Sequence, residues 1–149
     1  MHKQPRTRIR SERGAALLEV ALTLPLLLLV ATGIFEFGRA YQTWQILTNA
    51  AREGARVAVL PGVNDAAVEE RVVEYMTSGL LPRAGDADVI IDRDTEVDIG
   101  AGTASASRVQ VEYPFTFMVL QGIASLVVEG STAGAPLTMT TSATMRNEM

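Results

Sequence analysis

The stretch Gly14-Ala-Ala-Leu-Leu-Glu19-Val-Ala-Leu-Thr-Leu-Pro25-Leu-Leu-Leu-Leu-Val30-Ala-Thr-Gly-Ile-Phe35 carries one charged side chain in an otherwise apolar run. From Ala15 to Phe35 it is 21 residues long, and at about 1.5 Å per residue a helix of that length spans roughly 31 Å, the thickness of a bilayer's hydrocarbon core. A carboxylate at the centre of such a helix costs about 2.5 to 3.5 kcal/mol on insertion scales, so a spanning segment that keeps one generally keeps it for a partner. Pro25 removes one helix hydrogen bond, which in lipid calls for a kink, a neighbouring helix or the Thr23 hydroxyl.

Outward from this run, the charge is divided. Lys3, Arg6, Arg8, Arg10 and Arg13 against Glu12 leave residues 1–14 at net +4, so the rest of a chain of net −4 carries −8. A basic leader before an apolar run, with an acidic body after it, fits an amino end held in the cytoplasm and a body exported. The acidic body argues against nucleic acid as a partner. There is no cysteine, which excludes disulfides, thiolate nucleophiles and thiolate metal sites. The one histidine, His2, lies in the leader, so imidazole acid-base catalysis and His-ligated zinc have no place in the body. Serine and threonine are frequent near residues 131–144, but with neither an activating histidine nor a Gly-x-Ser-x-Gly elbow they form no hydrolase nucleophile. The chain is expected to be no enzyme and to need no cofactor or metal.

Three fates are open to the apolar segment. Signal-peptide removal would use the small residues Ala31-Thr32-Gly33. Without cleavage, the run would serve as a plain signal anchor. Cleavage on the cytoplasmic side, between Gly14 and Ala15, would leave the helix on the mature protein with a new amine at Ala15 and Glu19 as its fifth residue. That amine, with a reference pKa of about 7.7 to 8.0, is largely cationic at neutral pH. Within one helix the two groups lie about 6 Å apart along the axis. A neighbouring subunit's amine approaching to about 4 Å would gain roughly 4 kcal/mol at an effective dielectric of about 20, before desolvation. Such pairing sets stagger between subunits more than it guarantees net stability.

Arg13-Gly-Ala-Ala-Leu-Leu-Glu19-Val-Ala-Leu-Thr-Leu-Pro25-Leu-Leu-Leu resembles the start of TadE-like proteins, the minor pseudopilins of tight-adherence (Flp) pilus systems. Gly33-Ile-Phe-Glu-Phe-Gly-Arg39 and Asn49-Ala-Ala-Arg-Glu-Gly-Ala-Arg56 match that family's segment after the membrane helix, and Thr141-Ser-Ala-Thr-Met-Arg-Asn-Glu148 is similar to its ending. The strong part covers residues 13–59. The resemblance implies processing at Gly14 and Ala15 by a prepilin peptidase and a processing and docking role for Glu19. It further implies single-pass retention in a bacterial inner membrane, in contact with lipid, other pilins or pseudopilins and the inner-membrane assembly platform. The implied task is assembly or priming of the pilus.

Beyond Phe35 the helical period continues through Phe37, Tyr41, Trp44, Thr48, Ala51 and Ala55, which predicts a helix to about Val59, ended by Pro61-Gly62. Tyr41 and Trp44 suit either the membrane-water boundary or the seam on which the body packs. Ala50, Ala51, Gly54, Ala55 and Ala58 would admit a close neighbour. Glu36 and Arg39 can pair at a spacing of three, while Arg52 and Glu53 are left to partners on loops or other subunits, and solvated charges are the preferred reading of the group. Asn64 or Asp65 can cap a second helix with Val68, Val72, Tyr75 and Met76 on one face and Gly79 at its carboxyl end, closed by Pro82.

From Asp86 to Ile99 the period becomes two, with Asp86, Asp88, Asp92, Asp94, Glu96 and Asp98 opposite Val89, Ile91, Val97 and Ile99, and a possible break near Arg93. The same acids suggest calcium, but Val97 stands where an EF-hand loop wants glycine, so a solvated strand face is preferred. A turn over residues 100–107 precedes a strand over 108–119, in which Val109, Val111, Tyr113, Phe115, Phe117 and Val119 alternate and Pro114 demands an edge, bulge or bend. Residues 122–134 form a mixed loop with a helical turn at 123–127. Leu137, Met139, Thr141, Ala143 and Met145 mark the last strand.

The fold expected is α+β: a long N-terminal helix, transmembrane in its first half, packed on a small domain with a three- to four-stranded antiparallel sheet. Residues 1–14 are the leader, 15–35 the transmembrane helix, 36–60 its extension and 61–149 the exported domain. A structural, pseudopilin-like subunit is the preferred function; an uncleaved, signal-anchored extracytoplasmic binding module is the alternative.

Overall fold

The computed structural model describes the backbone of residues 9–100, 102–120, 122–123 and 132–147, and side chains from Gly14 onward. The chain is α+β. Helix α1 (Ile9–Ala58) is followed by α2 (Asp65–Ser78), a 3-10 turn (Ala84–Asp86) and strands β1 (Asp88–Asp98), β2 (Thr103–Phe115) and β3 (Leu137–Arg146). The strands form one antiparallel meander in the order β1-β2-β3, the lower of the two strand numbers expected. Two compact units divide the chain, Met1–Glu36 with Phe117–Ala135, and Phe37–Thr116 with Pro136–Met149.

In the second unit, the buried stripe of α1 is Thr43, Leu47, Ala50, Ala51, Gly54, Ala55 and Ala58. Its period is helical, but it is turned by one residue from the expected face: Phe37, Tyr41 and Trp44 are exposed, Tyr41 at 66% and Trp44 at 44%. The aromatic rings are therefore not the packing seam. Around Gly54 small residues are, because α2 and β2 come too close there for anything larger. A Cβ built on Gly54 would lie 2.5 Å from Val72 Cγ2 and 3.2 Å from Val109 Cγ1, inside van der Waals contact with both elements. Val68, Val72 and Met76 of α2 and Val109, Val111, Tyr113 and Phe115 of β2 complete this core.

Helix α2 begins as its sequence requires, with Asn64 Oδ1 accepting from Ala67 N at 3.0 Å. Its end differs from expectation. Gly79 has an ordinary right-handed φ of −77°, and the left-handed residue is Leu80, at φ 61°. Glycine is required at 79 by space instead, since a Cβ there would meet Ile46 Cγ2 at 2.8 Å.

Strand β1 carries its acids outward and holds Val89, Ile91 and Val97 half-buried, while Ile99 lies past its end and is exposed. The break near Arg93 is a bulge: the register passes from Asp92↔Arg108 to Thr95↔Ala106. Asp92 closes it, accepting from Asp94 N at 3.0 Å and Thr95 Oγ1 at 2.8 Å, and both bonds hold its carboxyl below the usual range. Strand β2 starts earlier than expected, at Thr103, because residues 103–106 pair with the end of β1. It also stops at Phe115, so Phe117 and Val119 lie outside it. Pro114 sits beyond the last β1 partner, Glu112, where β2 pairs with β3 alone. A central strand thus has a local edge there, where a missing N–H is tolerated. The helical turn expected at 123–127 lies outside the described residues except for Ile123.

Replacing Gly54 by alanine is expected to lower the stability of the detergent-solubilised chain by about 1 to 3 kcal/mol, the range for overpacking a tight core. Urea unfolding followed by the fluorescence of Trp44 measures it, and an unchanged midpoint would contradict the close approach.

Candidate processing and docking site

Gly14, Ala15 and Glu19 all lie on α1 with their residues exposed. Among the described residues, nothing stands within 4 Å of a Cβ built on Gly14. In a helix Ala15 and Glu19 are one turn apart and share a face. A chain starting at Ala15 would put the Glu19 carboxylate in the first turns of a helix, where the macrodipole and a terminal ammonium are both positive. Among the described residues no group answers this carboxylate. The Thr23 hydroxyl donates to the backbone carbonyl of Glu19 at 2.9 Å. It does not serve Ala21 O, the acceptor that Pro25 leaves open by the helix pattern, so the relief expected from Thr23 is not made.

From Gly14 onward α1 is long and apolar enough to cross a membrane, and its apolar side chains are exposed, not packed inside the protein. Residues 14–56 match the family of TadE-like proteins. The match begins at Gly14 and ends with Arg56, two residues before α1 does. No curated protein and no solved structure matches the chain. The TadE-like segment therefore covers the apolar run and its helical continuation, and the sheet lies outside it.

Two charges expected to be solvated are not. Glu36, directly after the apolar run, is 0% exposed, and its Oε1 accepts from Met118 N at 2.6 Å and Val119 N at 2.7 Å. In the second unit the Arg39 guanidinium lies 4.5 Å from the centroid of the Phe115 ring and donates to Thr116 O, a cation–π contact joined to a hydrogen bond. The sequence signal was present in Glu36-Phe-Gly-Arg39, but the partners named stand 76 or more residues away in sequence, where no spacing rule reaches.

Arg93 was read only as a break in β1. It lies on the half-buried face of β1 and donates to three acceptors: Ala58 O at 2.7 Å, Val63 O at 3.0 Å and Asp65 Oδ1 at 2.8 Å. One guanidinium thereby serves an end carbonyl of α1, the connecting loop and the first turn of α2, the fork geometry that lysine lacks.

Glu53 also departs from expectation, since its partners are in the same chain. It accepts from Arg56 Nη2 at 2.7 Å on its own helix and from Arg71 Nη2 at 2.9 Å on α2. These bonds, Arg56 first, hold its carboxyl down at about 2. An open groove of about 500 Å3 runs between the same two helices, lined by the neutral groups of Gln42, Gln45, Asn49, Tyr75 and Ser78.

A carboxyl whose folded pKa is depressed contributes stability above its unfolded pKa and loses it as the pH falls toward the folded one. The window for Glu53 accordingly runs from the ordinary 4.5 down to about 2. The stability gap between the parent chain and Glu53→Gln is expected to be constant above about pH 5.5, to shrink below the ordinary carboxylate value and to vanish near the folded one. Urea midpoints across that range measure it, and a gap that persists undiminished at the acid end would contradict the pairing.

Proposed function

We propose that this chain is a membrane-anchored structural subunit of a tight-adherence pilus apparatus, pseudopilin-like and without enzymatic activity. Supporting this is a coincidence at Gly14: the TadE-like match begins there, the same residue opens the Gly-x-x-x-x-Glu spacing, and the membrane-length apolar run of the sequence follows it directly from Ala15. A prepilin peptidase cuts after Gly14, and the body stays on the extracytoplasmic side of a bacterial inner membrane.

Cleavage is the chemical step that gives Glu19 its role. Before it, the carboxylate sits in an apolar helix without a counter-charge among the described residues. After it, each subunit has an amine at Ala15 and an acid one turn away. A neighbour's amine approaching Glu19 removes two charges from hydrocarbon together, which is cheaper than leaving either alone. The pair fixes how far one subunit enters beside other pilins or the assembly platform.

The groove between α1 and α2 favours a second reading, in which the uncleaved chain presents a neutral polar cleft to a soluble ligand. Mass spectrometry of the mature amino terminus, with the cognate peptidase present, separates the two. Ala15 as first residue is expected; an intact Met1 under those conditions overturns the pilus reading. Glu19→Gln keeps the shape and removes the charge, so cleavage is expected to persist while pilus assembly falls. Normal piliation in that variant would remove the docking role.

A further inference from the structure

Residues 117–120, in the first unit, reverse the usual pattern of a water-exposed loop. Met118 is 72% exposed and Val119 45%, whereas both backbone N–H groups are taken by the buried carboxylate of Glu36. Loops facing water do the opposite, leaving backbone groups to the solvent. Irregular backbone beside lipid needs its polar groups satisfied within the protein, because hydrocarbon offers no partner. Charge-assisted bonds to a carboxylate answer both N–H groups at once.

Location agrees. Glu36 follows Phe35, the last residue of the apolar run, and Ile34 and Phe35 are themselves exposed. The acceptor that holds Met118 and Val119 therefore stands where the spanning helix leaves hydrocarbon. No charged residue occurs in the sequence between Glu112 and Glu129, so nothing in that stretch resists the boundary. Leu120, by contrast, is buried, leaving Met118 and Val119 as the apolar tip.

We propose that residues 117–120 are a second membrane contact, seated in the lipid headgroup boundary at the end of the spanning helix distant from Gly14, with Glu36 as the positioning residue. It rests on the membrane-anchored reading above. Its partner is the lipid surface itself, the glycerol and upper acyl region that an exposed methionine and valine enter without loss.

The absence of cysteine makes the test direct. Single variants Leu27→Cys, Leu80→Cys and Met118→Cys of the full chain, each carrying an environment-sensitive fluorophore, are reconstituted into phosphatidylcholine–phosphatidylglycerol vesicles. They are quenched by lipids spin-labelled near the headgroup, by lipids labelled deep in the acyl chain, or by aqueous iodide. Position 27 is expected to respond to the deep label and position 80, which is 88% exposed in the second unit, to iodide. Position 118 is expected to respond to the shallow label, with iodide quenching several-fold weaker than at 80. If 27 meets no lipid label, the anchor reading itself fails. If 27 does and 118 behaves like 80, the anchor stands and the loop contact is wrong. Shielding of 118 from all three quenchers would mean a protein partner and would equally overturn it.

Adding Glu36→Leu is expected to move position 118 toward iodide without changing 27, and Glu36→Gln, which keeps a carbonyl acceptor, to retain part of the lipid response. Unchanged quenching at 118 in both variants would remove Glu36 from the positioning role.

Discussion

The second unit depends on how closely α2 and β2 approach one short face of α1. At Gly54 the approach leaves no room for a methyl group, and alanines at 50, 51, 55 and 58 keep the rest of that face flat. Once the helix presents so little relief, larger side chains must come from the other side, and Val68, Val72, Met76, Val109 and Val111 supply them. Dispersion contacts of this kind are individually small and strongly dependent on distance, so the core is sensitive to one added carbon. Gly54 in mid-helix costs about 1 kcal/mol of local propensity, a penalty offset by the packing it permits.

Around this seam polar groups answer the end of α1 and the start of α2. Arg93 gathers acceptors from α1, the loop and α2, from the half-buried face of β1. Asn147 continues the arrangement at the end of β3, accepting from Ser107 Oγ at 2.7 Å and donating to Ser105 Oγ at 2.8 Å. The Glu53 network is more solvated and correspondingly weaker, with Arg56 and Arg71 both substantially exposed. It joins α1 to α2 outside the core, where it orders surfaces more than it stabilises them.

Periodicity made the element types legible, since a helix followed by period-two segments leaves few architectures. Phase was harder. Phe37, Tyr41 and Trp44 carry the largest apolar area, and choosing the face by size selects them. The protein buries the neighbouring face because closeness, not bulk, decides the seam. Glycine, alanine and serine make residues 100–107 read as a turn, since glycine and alanine are poor strand formers, yet pairing of residues 103–106 with the end of β1 overrides that preference. Leu80 and Gly79 exchanged roles for a similar reason: Ile46, from another helix, occupies the space above Gly79. Each miss is a long-range contact overruling a local preference, and Glu36 is the extreme case, with partners 82 and 83 residues away.

Two carboxylates on α1, 17 residues apart, thus meet the same physical problem in different ways. Glu36 stands at the end of the apolar run and is answered from within the chain, two backbone N–H groups of residues 118 and 119 among its partners, so its charge helps to fix a loop. Glu19 stands inside the run, exposed, with no answer among the described residues. Under the proposed cleavage, an amine created one turn away at Ala15 would be a cation of the kind such a carboxylate lacks. Residues that serve the fold find their partners in the fold, and the proposed cleavage after Gly14 would supply one for Glu19.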